Sequence, residues 1–381
     1  MRHHFTTLFG LVLAAYAVAV ADEHDYEVYY EHRLTNKTDR PVEGVEINIP
    51  VPEDSPRQHV SGFTVELWDQ PFKCETTQDE FGQPMARITV PQISPGQTIE
   101  VGYYCEVRLR SVPAIKLSRD KVGRLADIPL DIRATYTADV DYIYNLSDPV
   151  VVELAAGFVN QYPNLLDRVF AIHDYVASRT RYERTGGWDS APVVLKRGTG
   201  SCSEFSFAFC ALCRAAGIPT RFAGSTCCRQ NVDKKPYRDT VWHRWPEVYL
   251  PPYGWVPFDP TRDRGDPPKR AHVGRCGDNA LIVSRVGGGG TLGVHYLSSN
   301  FNGRRLKCKR AFVWSRGARR AYEQTQRDTR PDDLSQKIGA LNRIISDYHG
   351  TRWAKLATRQ RDALKLAHAP TSQPRGQPNG E

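Results

Sequence analysis

The sequence predicts an α+β protein: a cysteine-bearing helix packed on an antiparallel sheet, preceded by a β-sandwich and followed by a helical appendage. Three observations predict it. Short β-rich stretches fill residues 25–145. An apolar helical run follows Cys202, and two strand-like segments joined by a turn come after it. Beyond residue 334, apolar side chains return at helical spacing. Helices followed by a small sheet, rather than alternating with strands, mark α+β order. At 381 residues the chain is long enough for two domains. The expected division is a signal peptide at 1–21, a β-sandwich at 22–147, a catalytic domain at 148–316, a helical appendage at 317–367 and a disordered tail at 368–381.

The first segment reads as a secretory signal. Arg2 and two histidines precede the apolar run Leu8–Val20, and Ala19-Val-Ala21 gives a small-x-small cleavage pattern before Asp22. The run is too short to span a bilayer. Export to the periplasm, cell envelope or medium is therefore expected, after cleavage near Ala21. Tyr26-Glu-Val-Tyr-Tyr, Val45-Glu-Ile-Asn-Ile, Phe63-Thr-Val-Glu-Leu, Arg87-Ile-Thr-Val and Thr98–Val107 then read as strands, with Ser94-Pro-Gly-Gln as a turn. Several strands at short spacing suggest a sandwich.

Residues 148–155 connect to helices. Leu165, Leu166, Val169, Ile172 and Val176 recur at near-helical spacing within 159–181. The loop Thr185–Pro192 carries Trp188. The helix Cys202–Ala216 stops at Gly217-Ile-Pro219. Val241–Leu250 and Gly254–Thr261 read as strands around the turn Pro251-Pro-Tyr-Gly254. Residues 286–314, with the β-like Ala311-Phe-Val-Trp, are expected to complete or flank the catalytic sheet. Leu334, Ile338, Leu341, Ile345 and Tyr348 form one helix face, and Trp353, Leu356 and Leu364 another.

Cys202, His243 and Asp259 are the candidate catalytic residues. A helix N-terminus carries positive partial charge and favours a thiolate. An imidazole accepts the thiol proton, and a carboxylate orients the imidazole. Histidine and aspartate are 16 residues apart, an even number, so an even hairpin register puts them on one face. The bland alternative is a buried, inert cysteine. Ser201, Ser203 and Glu204 around Cys202 do not suit an apolar site. Ser201 is a helix-cap residue and Glu204 suits the first turn.

Four elements closely resemble the transglutaminase-like superfamily over roughly residues 160–265. They are Gly-Ser-Cys202, Arg214-Ala-Ala-Gly-Ile-Pro-Thr-Arg221, His243-Arg-Trp-Pro-Glu-Val-Tyr and Gly254-Trp-Val-Pro-Phe-Asp-Pro-Thr, in the family's order. The resemblance implies Cys202 as nucleophile, His243 as base and Asp259 as orienting carboxylate. Bacterial members often carry a β-domain ahead of the core, which supports the boundary near residue 147. The family usually has a small residue after the histidine; here Arg244 stands there, and Pro246 follows. Animal transglutaminases use an upstream tryptophan at the oxyanion, so Trp188 is a candidate for that place or, as the favoured reading, for the wall of the substrate groove, and Trp245 flanks the same groove. The Cys202 backbone N–H is a further oxyanion donor. The implied chemistry is attack on a protein or peptide carboxamide, a Cys thioester, and resolution by an amine or by water. A cysteine peptidase or amidase with the same triad, and a non-catalytic exported binding module, are the alternatives.

Of nine cysteines, eight remain if Cys202 stays a free thiol. Cys74 and Cys105 are alone before residue 200, and a bridge between them is expected. Cys210 reads as a core residue of the nucleophile helix. No metal site is expected: Arg262 and Arg264 separate Asp259, Asp263 and Asp266, and adjacent Cys227 and Cys228 are awkward joint ligands. No cofactor is expected. Residues 304–381 hold 18 Lys and Arg against 7 Asp and Glu, so this region is +11 and the rest of a +8 chain is −3. Such a surface suits an anionic wall polymer or membrane, though a solvated helix surface is the commoner explanation. Nucleic acid is not an expected partner, because no basic stretch is interleaved with aromatics.

Overall fold

Six strands open the fold: β1 (Glu23–Asn36), β2 (Val42–Pro50), β3 (Gln58–Leu67), β4 (Lys73–Gln78), β5 (Pro84–Ile93) and β6 (Thr98–Arg110). The computed structural model describes residues 22–68, 72–79, 82–112, 114–140, 142–184, 189–286, 295–298, 306–329 and 333–368. The expected signal peptide and Trp188 lie outside these residues, as does the tail beyond 368.

The strands do not close a domain by themselves. After helices and a second sheet, the chain returns to the sandwich through β14 (His295–Ser298) and β15 (Leu306–Ser315). One sheet runs β10-β15-β1-β6-β3, where β10 is Tyr237–Asp239; the other runs β14-β2-β5-β4. β15 pairs antiparallel with β1 from Glu27↔Ser315 to Asn36↔Leu306. The expectation that Ala311–Trp314 would complete or flank the catalytic sheet is therefore corrected. Its β-rich pattern matches the sandwich, where Phe312 and Trp314 enter a core with Val28, Tyr30, Val101 and Cys105. Alternation along β1 sends Val28, Tyr30 and Leu34 into that core and Tyr29 to the opposite face. There Tyr29 meets Tyr104, Val313, Ala318 and Trp353, so helices cover the outside of the sheet.

Beyond Arg110 the chain leaves the sandwich. Ile115, Leu117, Val122 and Leu125 pack on the second core, not the first. α1 (Leu130–Tyr136), α2 (Pro149–Gln161), α3 (Leu165–Arg179) and α4 (Ala191–Arg197) follow, and β7 (Arg181–Tyr182) pairs in parallel with β8 (Thr199–Gly200). α5 (Cys202–Ala215) is the central helix, buried at every position from Cys202 to Arg214. It packs on the sheet β12-β11-β9-β13, formed by β9 (Thr220–Cys227), β11 (His243–Leu250), β12 (Gly254–Pro257) and β13 (Ala280–Val286). Val248, Leu250, Val256 and Phe258 point under the helix and meet Phe205, Phe209 and Leu212. The Phe209 and Phe258 rings stack with centroids 5.7 Å apart. β13 bulges between Ile282 and Ser284 where it passes Gly224. A Cβ on Gly224 would lie 2.6 Å from Ser284 Oγ, so a side chain there would have to displace that hydroxyl.

The two β layers are joined where the site lies. β10 pairs with β15, and the Trp314 indole donates to Thr226 Oγ1 on β9 at 3.0 Å. The appendage consists of α6 (Ala318–Asp328), α7 (Leu334–Asp347) and α8 (Arg352–Ala367), with Leu341, Ile344 and Ala357 between α7 and α8. No helix of the described residues is long and apolar enough to cross a membrane.

Candidate active site

Cys202 is the first residue of α5, and Ser201 is its N-cap with extended backbone. The Ser201 N–H donates to Glu204 Oε2 at 2.7 Å, which ties the helix start together. Glu204 is fully buried and its other oxygen accepts from Arg197 Nη2 at 3.0 Å. The Cys202 N–H belongs to the first turn, whose amides have no partner within the helix. The side chain is 8% exposed, and its thiol donates to the Trp242 carbonyl at 3.9 Å.

β11 brings His243 to that thiol. The hairpin pairs Glu247 with Pro257 and Val248 with Val256, an even index sum that puts His243 and Asp259 diagonally on one face. Pro246 causes no shift in the β11–β9 ladder, which runs without irregularity from His243↔Ser225 to Val248↔Thr220. His243 Nε2 lies 2.6 Å from Asp259 Oδ2, and His243 is also a hydrogen-bond partner of Cys202. Asp259 Oδ1 accepts the Arg262 N–H at 3.0 Å, and Arg262 Nε lies 3.4 Å from Oδ2.

The charges favour a proton on the imidazole. Burial alone pulls His243 down, but the Asp259 charge and hydrogen bond, with Cys202, raise it to about 9. Burial pushes the Cys202 thiol up; the hydrogen bond and charge of His243, then the charge and backbone N–H of Arg244, outweigh it and leave the thiol below its ordinary value. Burial likewise opposes ionisation of Asp259, and His243 and Arg262 overcome it. A thiolate beside an imidazolium is the state this arrangement supports.

Three side chains around the site were not among the candidate site residues read from the sequence. Asp239, fully buried, accepts from Thr226 Oγ1 (2.8 Å), the Cys227 N–H (2.9 Å), Arg229 Nη1 (2.6 Å) and the Val241 N–H (3.0 Å). It fixes the turn that presents the Trp242 carbonyl and His243. Little in the local sequence marks it, because three of its four partners come from β9 and the loop after it. Arg262, three residues past Asp259, was legible only as a charge. Arg244 was legible as a departure from the family pattern. Its guanidinium is buried beneath the helix start, with Nη1 3.3 Å from Ser203 Oγ. Burial lowers it to about 10, with the Cys202 charge opposing and Arg310 adding to the fall.

Trp245 packs its ring 5.8 Å from the His243 ring, at 35°, in a cluster with Ala223, Cys227 and Ile282. It forms a wall behind the imidazole. Trp242 is held by the sandwich, with its ring 5.3 Å from Phe312 and 6.1 Å from Tyr30. Asp263 accepts the His272 backbone N–H at 3.1 Å. Among the described residues no three His, Cys, Asp or Glu side chains converge in a metal-binding group. The expected Cys74–Cys105 bridge is not formed, and both thiols are free. Cys74 is exposed on the edge strand β4, whereas Cys105 lies on β6 of the other sheet, fully inside the core. Sequence isolation suggested the pair, but the sandwich places the two residues in different layers.

Residues 152–260 match the family model of the transglutaminase-like superfamily core, a stretch that contains Cys202, His243 and Asp259. This chain carries a transglutaminase-like core. The chain is similar to the uncharacterized protein YebA of Bacillus subtilis, at 30% identity in an alignment 129 residues long that covers 30% of this chain. The chain spans only 18% of that relative's length. Among solved structures, a proposed cysteine protease from Cytophaga hutchinsonii is similar at 17% identity and a TM-score of 0.49, covering 78% of this chain and 100% of its own. The periplasmic domain of TgpA from Pseudomonas aeruginosa is similar at 16% identity and a TM-score of 0.30, covering 64% of this chain and 87% of its own. In the transglutaminase-like core described here, the helix start and the hairpin bring the thiol, imidazole and carboxylate together.

Proposed function

We propose that this protein is a thiol acyltransferase or hydrolase acting on a protein or peptide carboxamide, with Cys202 as nucleophile, His243 as base and acid, and Asp259 as the orienting carboxylate. The observation that carries the reading is the continuous chain from the Cys202 thiol through His243 to Asp259 at a helix N-terminus. The Cys202 sulfur attacks the carbonyl carbon and the C–N bond breaks. The imidazolium gives its proton to the departing nitrogen, leaving a thioester. An amine or water then attacks, His243 takes that nucleophile's proton, and the thiolate leaves. The Cys202 N–H, at the positive end of α5, is the oxyanion donor in this scheme. Asp259 keeps Nε2 of the imidazole engaged so that the other ring nitrogen addresses the sulfur.

Export after cleavage near Ala21 is part of the proposal and rests on the N-terminal sequence. The basic C-terminal helices would then face an anionic envelope surface. The test incubates the mature chain with a glutamine-containing peptide library and a primary amine, and follows ammonia, amine incorporation and peptide cleavage. Ammonia with incorporation indicates transfer, ammonia alone deamidation, and cleaved peptide a peptidase. No product from wild type, or equal product from Cys202→Ala, overturns the reading.

A further inference from the structure

The sheet face that carries His243 continues along β11 beyond the candidate active site. His243, Trp245 and Glu247 share that face, and Glu247 stands four residues on, about 13 Å away. Beyond Trp245 the face opens into a cavity of about 600 Å³ between the sheet and the sandwich loop Glu53–Arg57. That is the size of a small-molecule site. Tyr136, Tyr253 and Trp255 form aromatic walls, and Arg57, Arg221 and Arg285 all line the cavity with Glu247.

The charges of these four residues do not cancel. Glu247 is buried, and Arg221 engages it through Nε at 2.8 Å and Nη2 at 2.7 Å while stacking on the Trp255 ring at 4.2 Å. Arg285 comes no nearer than 3.7 Å to the same carboxylate. Arg57 is 7% exposed, and among the described residues its guanidinium donates only to neutral acceptors, the Gly277 carbonyl at 2.7 Å and Gln58 Oε1 at 3.4 Å. The Nε atoms of Arg57 and Arg285 are buried and make no hydrogen bond among the described residues. Burial, opposed by Glu247 and more weakly by Glu53 and reinforced by Arg221 and Arg57, depresses Arg285. At the rim, Asp54 is occupied by the Val60 N–H, and Glu53 is exposed and acts on Arg285 and Arg221 only through its charge, without an ion pair at contact distance. The buried Arg57 guanidinium thus has no carboxylate among its hydrogen-bond partners, and the half-buried Arg285 has only the 3.7 Å contact with Glu247, which Arg221 already engages, an arrangement that an oxyanion in the cavity would complement.

We infer that this cavity binds a small organic ligand bearing a carboxylate or phosphate, with the oxyanion on Arg57 and Arg285 and its body against Trp255 and the two tyrosines. The oxyanion is the shared chemistry. The site is separate from Cys202 and stands whether or not the thiol chemistry does.

Inorganic phosphate and phenylacetate are the probes, titrated calorimetrically into the full chain at constant ionic strength. One saturable site per chain is expected for at least one probe, with affinity lowered at least about tenfold in Arg285→Gln and Arg57→Gln. Tighter phenylacetate assigns a carboxylate ligand, and tighter phosphate a phosphate ester. A wild-type readout guards against variants that misfold. Cys276 lines the cavity and is partly exposed, so a bound probe should slow its maleimide labelling and leave Cys202 labelling unchanged. Absence of saturable binding by both probes, undiminished affinity in folded arginine variants, or protection of Cys202 instead of Cys276 overturns the inference.

Discussion

His243 and Asp259 stand diagonally across the β11–β12 hairpin with Nε2 and Oδ2 2.6 Å apart. Asp259 is itself held by the Arg262 N–H, so the carboxylate cannot swing away without breaking a second bond. Orientation of the imidazole is thereby built into one tight turn.

The first prediction follows from that turn. Under the proposed function, His243→Ala should abolish turnover as fully as Cys202→Ala does. Asp259→Asn should keep the fold but lose on the order of 10² to 10⁴ in kcat, because the amide sets the wrong tautomer. Steady-state kinetics on the three variants decides it. Asp259→Asn at wild-type rate would remove the carboxylate from the mechanism.

Thiol reactivity supplies the second. Cys74 is far more exposed than Cys202, but burial and Glu75 raise its thiol, whereas His243 and Arg244 lower that of Cys202. Reactivity follows the thiolate. Limiting iodoacetamide near neutral pH should therefore modify Cys202 first despite its burial, as read by peptide mapping. The same maps should show Cys74 and Cys105 unlinked. Labelling led by Cys74 would show that access, not ionisation, controls this thiol.

A third concerns pH. His243 is raised from 6.5 to about 9 in the folded state. A raised basic group stabilises fully below its unfolded value and loses that contribution as pH rises through its folded one. The ion pair with Asp259 should thus stabilise the fold below about pH 6.5 and fade through about pH 9. The melting-temperature gap between wild type and Asp259→Asn should be widest at the acid end of that window and close at its alkaline end. A gap constant across the window would show that His243 does not titrate there.

How much of this was legible depended on the range of each interaction. The Ser201–Glu204 cap, the end of α5 and the even hairpin register are local, and residue types at short spacing encode them. The pairing of β15 with β1 joins residues some 280 positions apart, for example Tyr30 with Phe312, and nothing near either strand announces it. A β-rich pattern says that a strand forms, not which sheet receives it. The Cys74–Cys105 expectation failed for the same reason, since isolation in sequence carries no information about layers. Asp239 and the arginine-lined cavity are likewise assembled from distant segments.

The last prediction tests the appendage as structure. Trp353 on α8 is 8% exposed and sits edge-on to Tyr104, with ring centroids 5.6 Å apart, and against Tyr322 at 5.4 Å. It covers the outer face of the sheet whose inner face, through Phe312 and Tyr30, holds Trp242 beside the thiol. Trp353→Ala leaves a cavity between helix and sheet and should cost about 3–5 kcal/mol, read from chemical denaturation. Because the sheet stands between Trp353 and the site, the Cys202 labelling rate should stay near wild type wherever the variant is still folded. A fall in that rate without unfolding would show that the helices act on the site and do not merely cover the sandwich.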